Sequence, residues 1–136
     1  MIENWQKWEP INGLAKKYYI DGVIDDFYGF KIKLTNRDNE KSKLIISFNE
    51  SVWAYRSAEE GLRLLTMENL AQKYGANFYT EWTFFKVLNS DYLNWIFKES
   101  YNTAPGSNLM HFCVVAMDDI LEIIADYEPE VKVHNK

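Results

Sequence analysis

His111 and Cys113 are the side chains that come closest to a nucleophile–base pair in this sequence. They stand two positions apart in a stretch that favours a β-strand, so both side chains lie on one face. A thiol–imidazole enzyme needs direct contact between the two groups, which strand neighbours seldom achieve. A metal site would need two further ligands, and the other histidine, His134, lies in the polar tail. We therefore expect no metal site, and we expect Cys113 to be buried and unreactive.

Two pairs of adjacent carboxylates, Asp25–Asp26 and Asp118–Asp119, are further candidates for acid–base chemistry. Adjacent strand residues point to opposite faces, so neither pair forms a ready-made dyad. The sequence contains no GxGxxG, GxxxxGKS/T, HExxH or GxSxG motif. These observations predict a protein with no catalytic residues and no cofactor.

An acidic cluster dominates the second half of the chain. Residues 1–57 carry a net charge of +1 and residues 58–136 a net charge of −6. The cluster contains no Lys or Arg and consists of Asp118, Asp119, Glu122, Asp126, Glu128 and Glu130. It disfavours nucleic acid as a partner and favours a basic protein, because a negative potential speeds encounter with a cationic partner. We predict that these six residues supply part of a protein-binding surface; the alternative is a solvated face that aids solubility.

Aromatic residues make up 16% of the chain, which suits either a densely packed core or a binding surface. Trp53 and Trp82 lie in strand-like patterns and are expected in the core. Trp5 and Trp8 lie outside regular patterns, and two placements stay open for them: cover for a sheet edge, or part of a binding surface. Arg56 follows a strand, and a structural salt bridge with the acidic second half is favoured over ligand binding.

The length and hydropathy of the chain predict one domain over residues 1–136. The first ten residues have no apolar core of a signal peptide, and no apolar run approaches the roughly 20 residues of a membrane helix. A single cysteine excludes an internal disulfide. We therefore expect a cytoplasmic protein without a membrane partner.

The pattern of apolar residues predicts an α+β fold: a mostly antiparallel β-sheet with two or three short helices packed on it. Strands are predicted within residues 18–52, 77–88 and 109–125, with clean alternation from Tyr28 to Leu34. Residues 1–16 read as an irregular lead-in. For residues 119–125 the isoleucines favour a strand over a short helix.

Capping signals predict where the helices lie. A capping box at Ser57–Glu60 and a C-terminal Gly75 predict a helix within 57–75, with a later start near Met67 left open. Ser90 predicts a helix N-cap within 89–100. Residues 101–108, with Pro105–Gly106, predict a loop.

Five groups of residues carry a resemblance to a known family: Ser51-Val-Trp-Ala-Tyr-Arg56, Glu59-Glu60, Trp82-Thr-Phe-Phe-Lys86, Asn89-Ser90 with Tyr92-Leu93, and Asp118-Asp119-Ile-Leu-Glu-Ile with Glu128-Pro129. They resemble small proteins of Gram-positive bacteria, a group that includes immunity proteins encoded beside secreted polymorphic toxins. The resemblance spans roughly residues 18–131. It implies a cytoplasmic, non-catalytic protein that neutralises a cognate toxin, and a basic nuclease-like toxin would complement the acidic cluster. The alternative function is a small-molecule-binding or enzymatic domain with a pocket built from scattered Tyr, Trp and Arg residues.

Overall fold

The computed structural model describes residues 2–104 and 108–135. Within these residues the chain forms nine β-strands: β1 (Asn4–Lys7), β2 (Tyr18–Asp26), β3 (Gly29–Asn36), β4 (Asn39–Phe48), β5 (Ala54–Glu59), β6 (Phe84–Leu88), β7 (Met110–Val115), β8 (Asp119–Ala125) and β9 (Glu130–Asn135). The same residues contain two α-helices, α1 (Leu64–Tyr74) and α2 (Asp91–Glu99), and a 3-10 turn at Glu60–Leu62. Of the predicted loop at 101–108, residues Pro105 to Ser107 lie outside the described residues.

The strands form two antiparallel sheets rather than the one sheet that was predicted. Sheet A has the strand order β1-β6-β7-β8-β5, and sheet B has the order β2-β3-β4-β9. Every strand pair in both sheets is antiparallel, which confirms the α+β prediction. The two sheets pack face to face and bury one face of each other. The inward-facing residues of β3 and β4 pack against Phe84, Phe112 and Leu121 of sheet A.

The two helices lie on the opposite face of sheet A. Met67 and Leu70 of α1 pack in a second buried cluster with Trp5, Phe85 and Cys113. Tyr92 of α2 is buried with its ring 5.7 Å from that of His111. The molecule therefore has three layers, with sheet A in the middle, which explains why β7 and β8 are buried along almost their whole length.

Of the three capping signals, two gave correct boundaries and one was wrong. Ser90 is the N-cap of α2 and its hydroxyl accepts a hydrogen bond from the Leu93 N–H at 3.0 Å, as predicted. The capping box at Ser57 is wrong, because Ser57 pairs with Leu121 inside β5. Helix α1 begins only at Leu64 and ends at Tyr74. The next residue, Gly75, is its C-cap, and its φ of 97° is positive, as expected of a glycine in that position.

Two other expectations need correction, those for residues 77–88 and for the lead-in. Only Phe84–Leu88 of the predicted 77–88 strand is a strand. The lead-in contains β1 and the tail contains β9, both short and polar edge strands. Residues 119–125 form a strand, as favoured.

Tryptophans occupy both the core and the surface. Trp5 is buried under α1, and Trp8 packs half-buried on the core between the sheets. Trp82 is half-buried against both clusters, in keeping with its predicted core position. Trp53 was expected in the core, yet 55% of its surface is exposed, because it lies at the start of an edge strand.

Within the described residues, no helix combines the length and apolar character needed to cross a bilayer.

Candidate functional site

A buried group of charged side chains lies on the helix-bearing face of sheet A. The strand register places Arg56 of β5 opposite Glu122 of β8, and Glu122 opposite Cys113 of β7. His111 stands two residues before Cys113, so its imidazole lies diagonally across from Glu122 on the same face. Arg63, at the start of α1, reaches the same carboxylate from the helix layer.

Glu122 is 1% exposed and accepts hydrogen bonds at both carboxylate oxygens. Its Oε2 accepts from Arg56 Nε at 2.5 Å and from Arg63 Nη1 at 2.7 Å. Its Oε1 lies 3.2 Å from Arg56 Nη2 and 3.0 Å from His111 Nε2. A buried carboxylate is tolerated only when it is paired and hydrogen-bonded, and here both conditions are met. The structural salt bridge predicted for Arg56 is therefore confirmed.

The surroundings act on the Glu122 carboxyl in opposite directions. Burial on its own raises its pKa, but hydrogen bonds from His111, Arg56 and Arg63 outweigh burial and hold the pKa well below the usual value. Glu122 is consequently ionised throughout the physiological range. Burial raises the pKa of the neighbouring Cys113 thiol, and the negative charge of Glu122 raises it further.

Ser90, His111 and Glu122 form a hydrogen-bonded chain with the residue types of a hydrolase triad. Ser90 Oγ lies 2.7 Å from His111 Nδ1, and His111 Nε2 lies 3.0 Å from Glu122 Oε1. All three side chains are buried, and the Ser90 hydroxyl already accepts the Leu93 N–H as a helix cap. A tautomer that carries the proton on Nε2 satisfies every group: Ser90 donates to Nδ1, and Nε2 donates to the carboxylate. This geometry fits a structural tether between α2 and sheet A, because a nucleophile must be reachable by its substrate.

Arg56 connects this buried group to the surface. Its guanidinium carbon lies 4.2 Å from the centre of the Tyr92 ring, a cation–π contact. The Tyr92 ring in turn lies 6.2 Å from the exposed Trp95 of α2. Glu3 stabilises the N-terminal end of α2, because its carboxylate accepts the Asp91 N–H at 2.8 Å.

An open cavity of about 340 Å³ lies beside the two arginines, lined by Arg56, Ser57, Ala58, Arg63 and Thr66. A cavity of about 440 Å³ lies on the outer face of sheet B, with Lys33, Lys43 and His134 in its wall. A third, of about 370 Å³, is lined by Lys17, Arg37 and Tyr79 among others. None of these three brings Tyr, Trp and Arg together as the small-molecule alternative envisaged.

The six acidic residues do not share one surface. Glu122 is buried and paired, so its assignment to a contact surface is wrong. Asp118 and Asp119 lie at one end of β8, and the other three follow its far end, roughly 20 Å away at about 3.3 Å per residue. There Glu128 pairs with Lys86, and Glu130 pairs with Lys132 at 2.9 Å and with Asn49 at 3.1 Å.

The first acidic end adjoins β5 and gains two more carboxylates. Glu59 is the register partner of Asp119, and the Glu60 N–H donates to the Asp118 carbonyl at 2.9 Å. Glu59, Glu60 and Asp118 are exposed, and Asp119 is half-exposed. We call these four residues the β5–β8 acidic end.

Large apolar side chains stand exposed around the free edge of β5. This strand pairs with β8 on one side and, among the described residues, with no strand on the other. Leu62, Leu64 and Leu65, directly after the strand, are 67–78% exposed. We call the set consisting of Trp53, Tyr55, Leu62, Leu64, Leu65 and Trp95 the β5 surface. It includes residues on both sides of the strand edge: Tyr55 lies on the sheet B side, with its ring 4.7 Å from that of Phe30, and Trp95 lies on the helix side beside Tyr92. Exposed apolar groups concentrated at an open strand edge are a feature of contact sites.

Sequence reasoning missed the Glu122 group, although a signal was present. Glu122 is the single charged residue in the apolar run Ile120–Ala125, and such a position demands a cationic partner. Counting Glu122 with the acidic cluster hid that signal.

Cys113 is buried as predicted. No group of three or more His, Cys, Asp or Glu side chains suited to a metal occurs within residues 2–104 and 108–135.

Comparison of the chain with protein-family models, with curated protein sequences and with solved structures finds no match.

Proposed function

We propose that this protein is a non-catalytic binding domain that holds a protein partner against the β5 surface. The observation that carries the proposal is the concentration of exposed Trp, Tyr and Leu side chains around an unpaired strand edge. Trp and Tyr, together with a partly exposed Arg, are the residue types that contribute most to binding energy at protein interfaces. A free strand edge also offers backbone hydrogen bonds to an added strand.

The charge distribution favours a basic partner at this site. The β5–β8 acidic end borders the β5 surface, so a cationic protein would be attracted to that side of the molecule. The outer face of sheet B carries more positive than negative charge. Its register places Lys33, Ile45 and Lys132 in one cross-strand row, with Lys31 and Lys43 in the neighbouring rows, against the carboxylates of Glu130 and Asp21. Attraction to the β5–β8 acidic end and repulsion from the outer face of sheet B would orient an approaching basic protein toward β5.

The partner class that we propose is a cognate toxin, with this chain acting as its cytoplasmic immunity protein. The sequence resemblance to immunity proteins supports this class, and two of its quoted segments, Ser51–Arg56 and Glu59–Glu60, contain part of β5 and two residues of the β5–β8 acidic end. Burial of the Ser90–His111–Glu122 chain supports a non-catalytic mode of action.

The first test is binding to a toxin domain encoded next to this gene, with Trp95→Ala as the variant. Trp95 is exposed, so its removal leaves the free energy of unfolding within about 0.5 kcal/mol of wild type. If Trp95 lies at the centre of the interface, the variant weakens binding by about 2 kcal/mol or more, close to a thirtyfold rise in Kd. Tyr101→Ala, another exposed aromatic outside the β5 surface, is the matched control. Equal affinities for both variants and wild type would remove the β5 surface from consideration.

The second test separates the two acidic ends. Asp118→Asn with Asp119→Asn should lower the association rate constant and flatten its dependence on salt, because exposed charges act mainly on encounter. Asp126→Asn, at the far end of β8, should leave both unchanged. A larger effect from Asp126→Asn would place the partner at the other end of the strand.

A further inference from the structure

The Glu122 group carries more positive than negative charge. Two guanidinium groups, those of Arg56 and Arg63, share a single carboxylate. The carboxylate lies at the bottom of the group, whereas the Arg56 side chain is 45% exposed and the Arg63 side chain 18% exposed. The positive charges therefore face the surface, and the Arg63 guanidinium is held in a partly dehydrated position where an uncompensated charge is unfavourable.

The two arginines also keep unused hydrogen-bond donors. Arg56 uses Nε and Nη2 on Glu122, and Arg63 uses Nη1 on Glu122 and Nη2 on the Thr66 hydroxyl at 3.3 Å. Arg56 Nη1 and Arg63 Nε have no protein partner among the residues that the structure describes. Guanidinium groups are well suited to oxyanions, because their planar N–H groups match carboxylate and phosphate oxygens.

The two arginines that carry these donors both line the cavity of about 340 Å³. Its lining also contains Ser57, Ala58 and Thr66. The Thr66 hydroxyl lies against Arg63, whereas the register directs the Ser57 side chain to the opposite face of β5 from Arg56 and Ala58. The small Ala58 side chain leaves room in the wall of the cavity. Since a water takes up roughly 30 Å³ in the liquid, the cavity can hold an oxyanion together with several waters.

The other carboxylate that acts on Arg56 is Glu3, and it is already committed. Its Oε2 accepts the Asp91 N–H at 2.8 Å and its Oε1 lies 3.4 Å from the Trp5 indole nitrogen. It is therefore held at the start of α2 and does not fill the cavity.

We propose that Arg56 and Arg63, with the Thr66 hydroxyl, form a binding site for an oxyanion, either a carboxylate or a phosphate. The oxyanion accepts hydrogen bonds from the unused guanidinium N–H groups and balances the second positive charge. When a protein partner is bound, one of its Asp or Glu side chains occupies this site; that identification rests on the binding function proposed above, whereas the oxyanion site does not.

The first experiment titrates the wild-type protein alone with inorganic phosphate, and separately with acetate, at constant ionic strength set by chloride. The readout is the NMR signal of each arginine Nε–H. Arg56 and Arg63 should shift saturably, with a Kd of about 1 mM or weaker for so small a ligand. Arg37, an exposed arginine paired with Asp38, is the internal control and should not shift. A response to acetate as well as phosphate supports a site for a partner carboxylate, and a response to phosphate alone supports a free phosphate ligand. If neither anion shifts Arg56 or Arg63 more than Arg37, the proposal is overturned.

The second experiment places a carboxylate in the cavity covalently. Ala58→Glu should bring a tethered oxyanion to the two arginines, while Ala58→Gln has the same shape without the charge. We expect Tm to be higher for Ala58→Glu than for Ala58→Gln by about 4 °C or more, and the phosphate response of Arg63 to be lost in Ala58→Glu. Equal Tm values together with an unchanged phosphate response would refute the site. Because neither experiment contains a partner, a failure to find a toxin leaves both outcomes interpretable.

Discussion

Glu122→Gln is the substitution that most directly tests how the buried group is held together. The carboxylate oxygens accept from three side chains, and Oε2 alone receives Arg56 Nε and Arg63 Nη1. Glutamine has nearly the same shape, but one of its two terminal atoms becomes a donor. That atom must face a donor whichever way the amide is turned, and both arginines lose their counter-charge.

The expected loss of stability in Glu122→Gln follows from the number and kind of these hydrogen bonds. A hydrogen bond to a charged group contributes about 1.5–3 kcal/mol, and removing one partner of a buried pair costs about 3–5 kcal/mol. Arg56 is nearly half exposed, so water compensates part of its loss and the lower end of that range applies. We expect the free energy of unfolding to fall by about 3 kcal/mol at neutral pH. Asp126→Asn, which changes an exposed carboxylate on the next loop, is the control and should change it by less than about 0.5 kcal/mol.

The pH dependence gives an independent check. Since the pKa of Glu122 is lowered in the folded state, its contribution is fully present above the pKa of the unfolded chain and is lost as pH falls toward the folded value. Below about pH 4.5 wild-type stability should therefore decrease by up to about 1.4 kcal/mol for each pH unit because of this group, and the glutamine variant should lack that component. Urea denaturation from pH 7 to pH 3 measures both effects. A difference under about 1 kcal/mol at pH 7, or one that widens as the pH falls, would contradict the assignment of Glu122 as the ionised centre.

Three further predictions concern other buried groups. Cys113 is fully buried with a raised thiol pKa, so a thiol reagent should label the native protein far more slowly than the unfolded chain, and equal rates would contradict this. Ser90→Ala removes both the cap of α2 and the hydroxyl bound to His111, and should lower the free energy of unfolding by about 1–2 kcal/mol, with Ser90→Thr as the conservative control. Lys17 Nζ donates to the carbonyls of Tyr79, Trp82 and Val115, so Lys17→Met should destabilise by about 2 kcal/mol. Burial lowers the pKa of Lys17 from 10.5 to about 8. Between these two pH values the Lys17 amine binds more protons in the unfolded chain than in the folded protein. The stability of the wild type relative to Lys17→Met should therefore rise with pH across this range.

Local patterns in the sequence were sufficient where a residue's neighbours along the chain decide its structure. The alternation of Phe30, Ile32 and Leu34 predicts β3 because one sheet face is buried and the other faces water. Tyr28, the first residue of the predicted pattern, lies before the strand and is exposed. Ser90 predicts the start of α2 because a cap acts on an N–H only three residues away. The same reasoning failed at Ser57, where pairing with Leu121 of β8 outweighs a local capping preference.

The Glu122 group could not be predicted in the same way, because its members are distant in sequence. Arg56 and Glu122 are 66 residues apart, and only the β5–β8 register brings them together. The exposure of Trp53 likewise depends on β5 being an edge strand, which no pattern within the strand records. Such contacts depend on which strands become neighbours, and that choice is made by the whole core rather than by a local motif.

Stability alone does not account for a charged group at this position. Well-packed apolar residues in place of a buried ion pair are often neutral or stabilising, because the charges must first be stripped of water. What apolar residues could not provide is a positive charge held rigidly at the β5 edge, beside Tyr92 and Trp95. The pairing with Glu122 orients the two guanidinium groups in advance, so a ligand would not have to order them on binding. The chain thus combines, at one strand edge, exposed apolar side chains that give contact area and a preorganised cationic site that can select the group a partner places there.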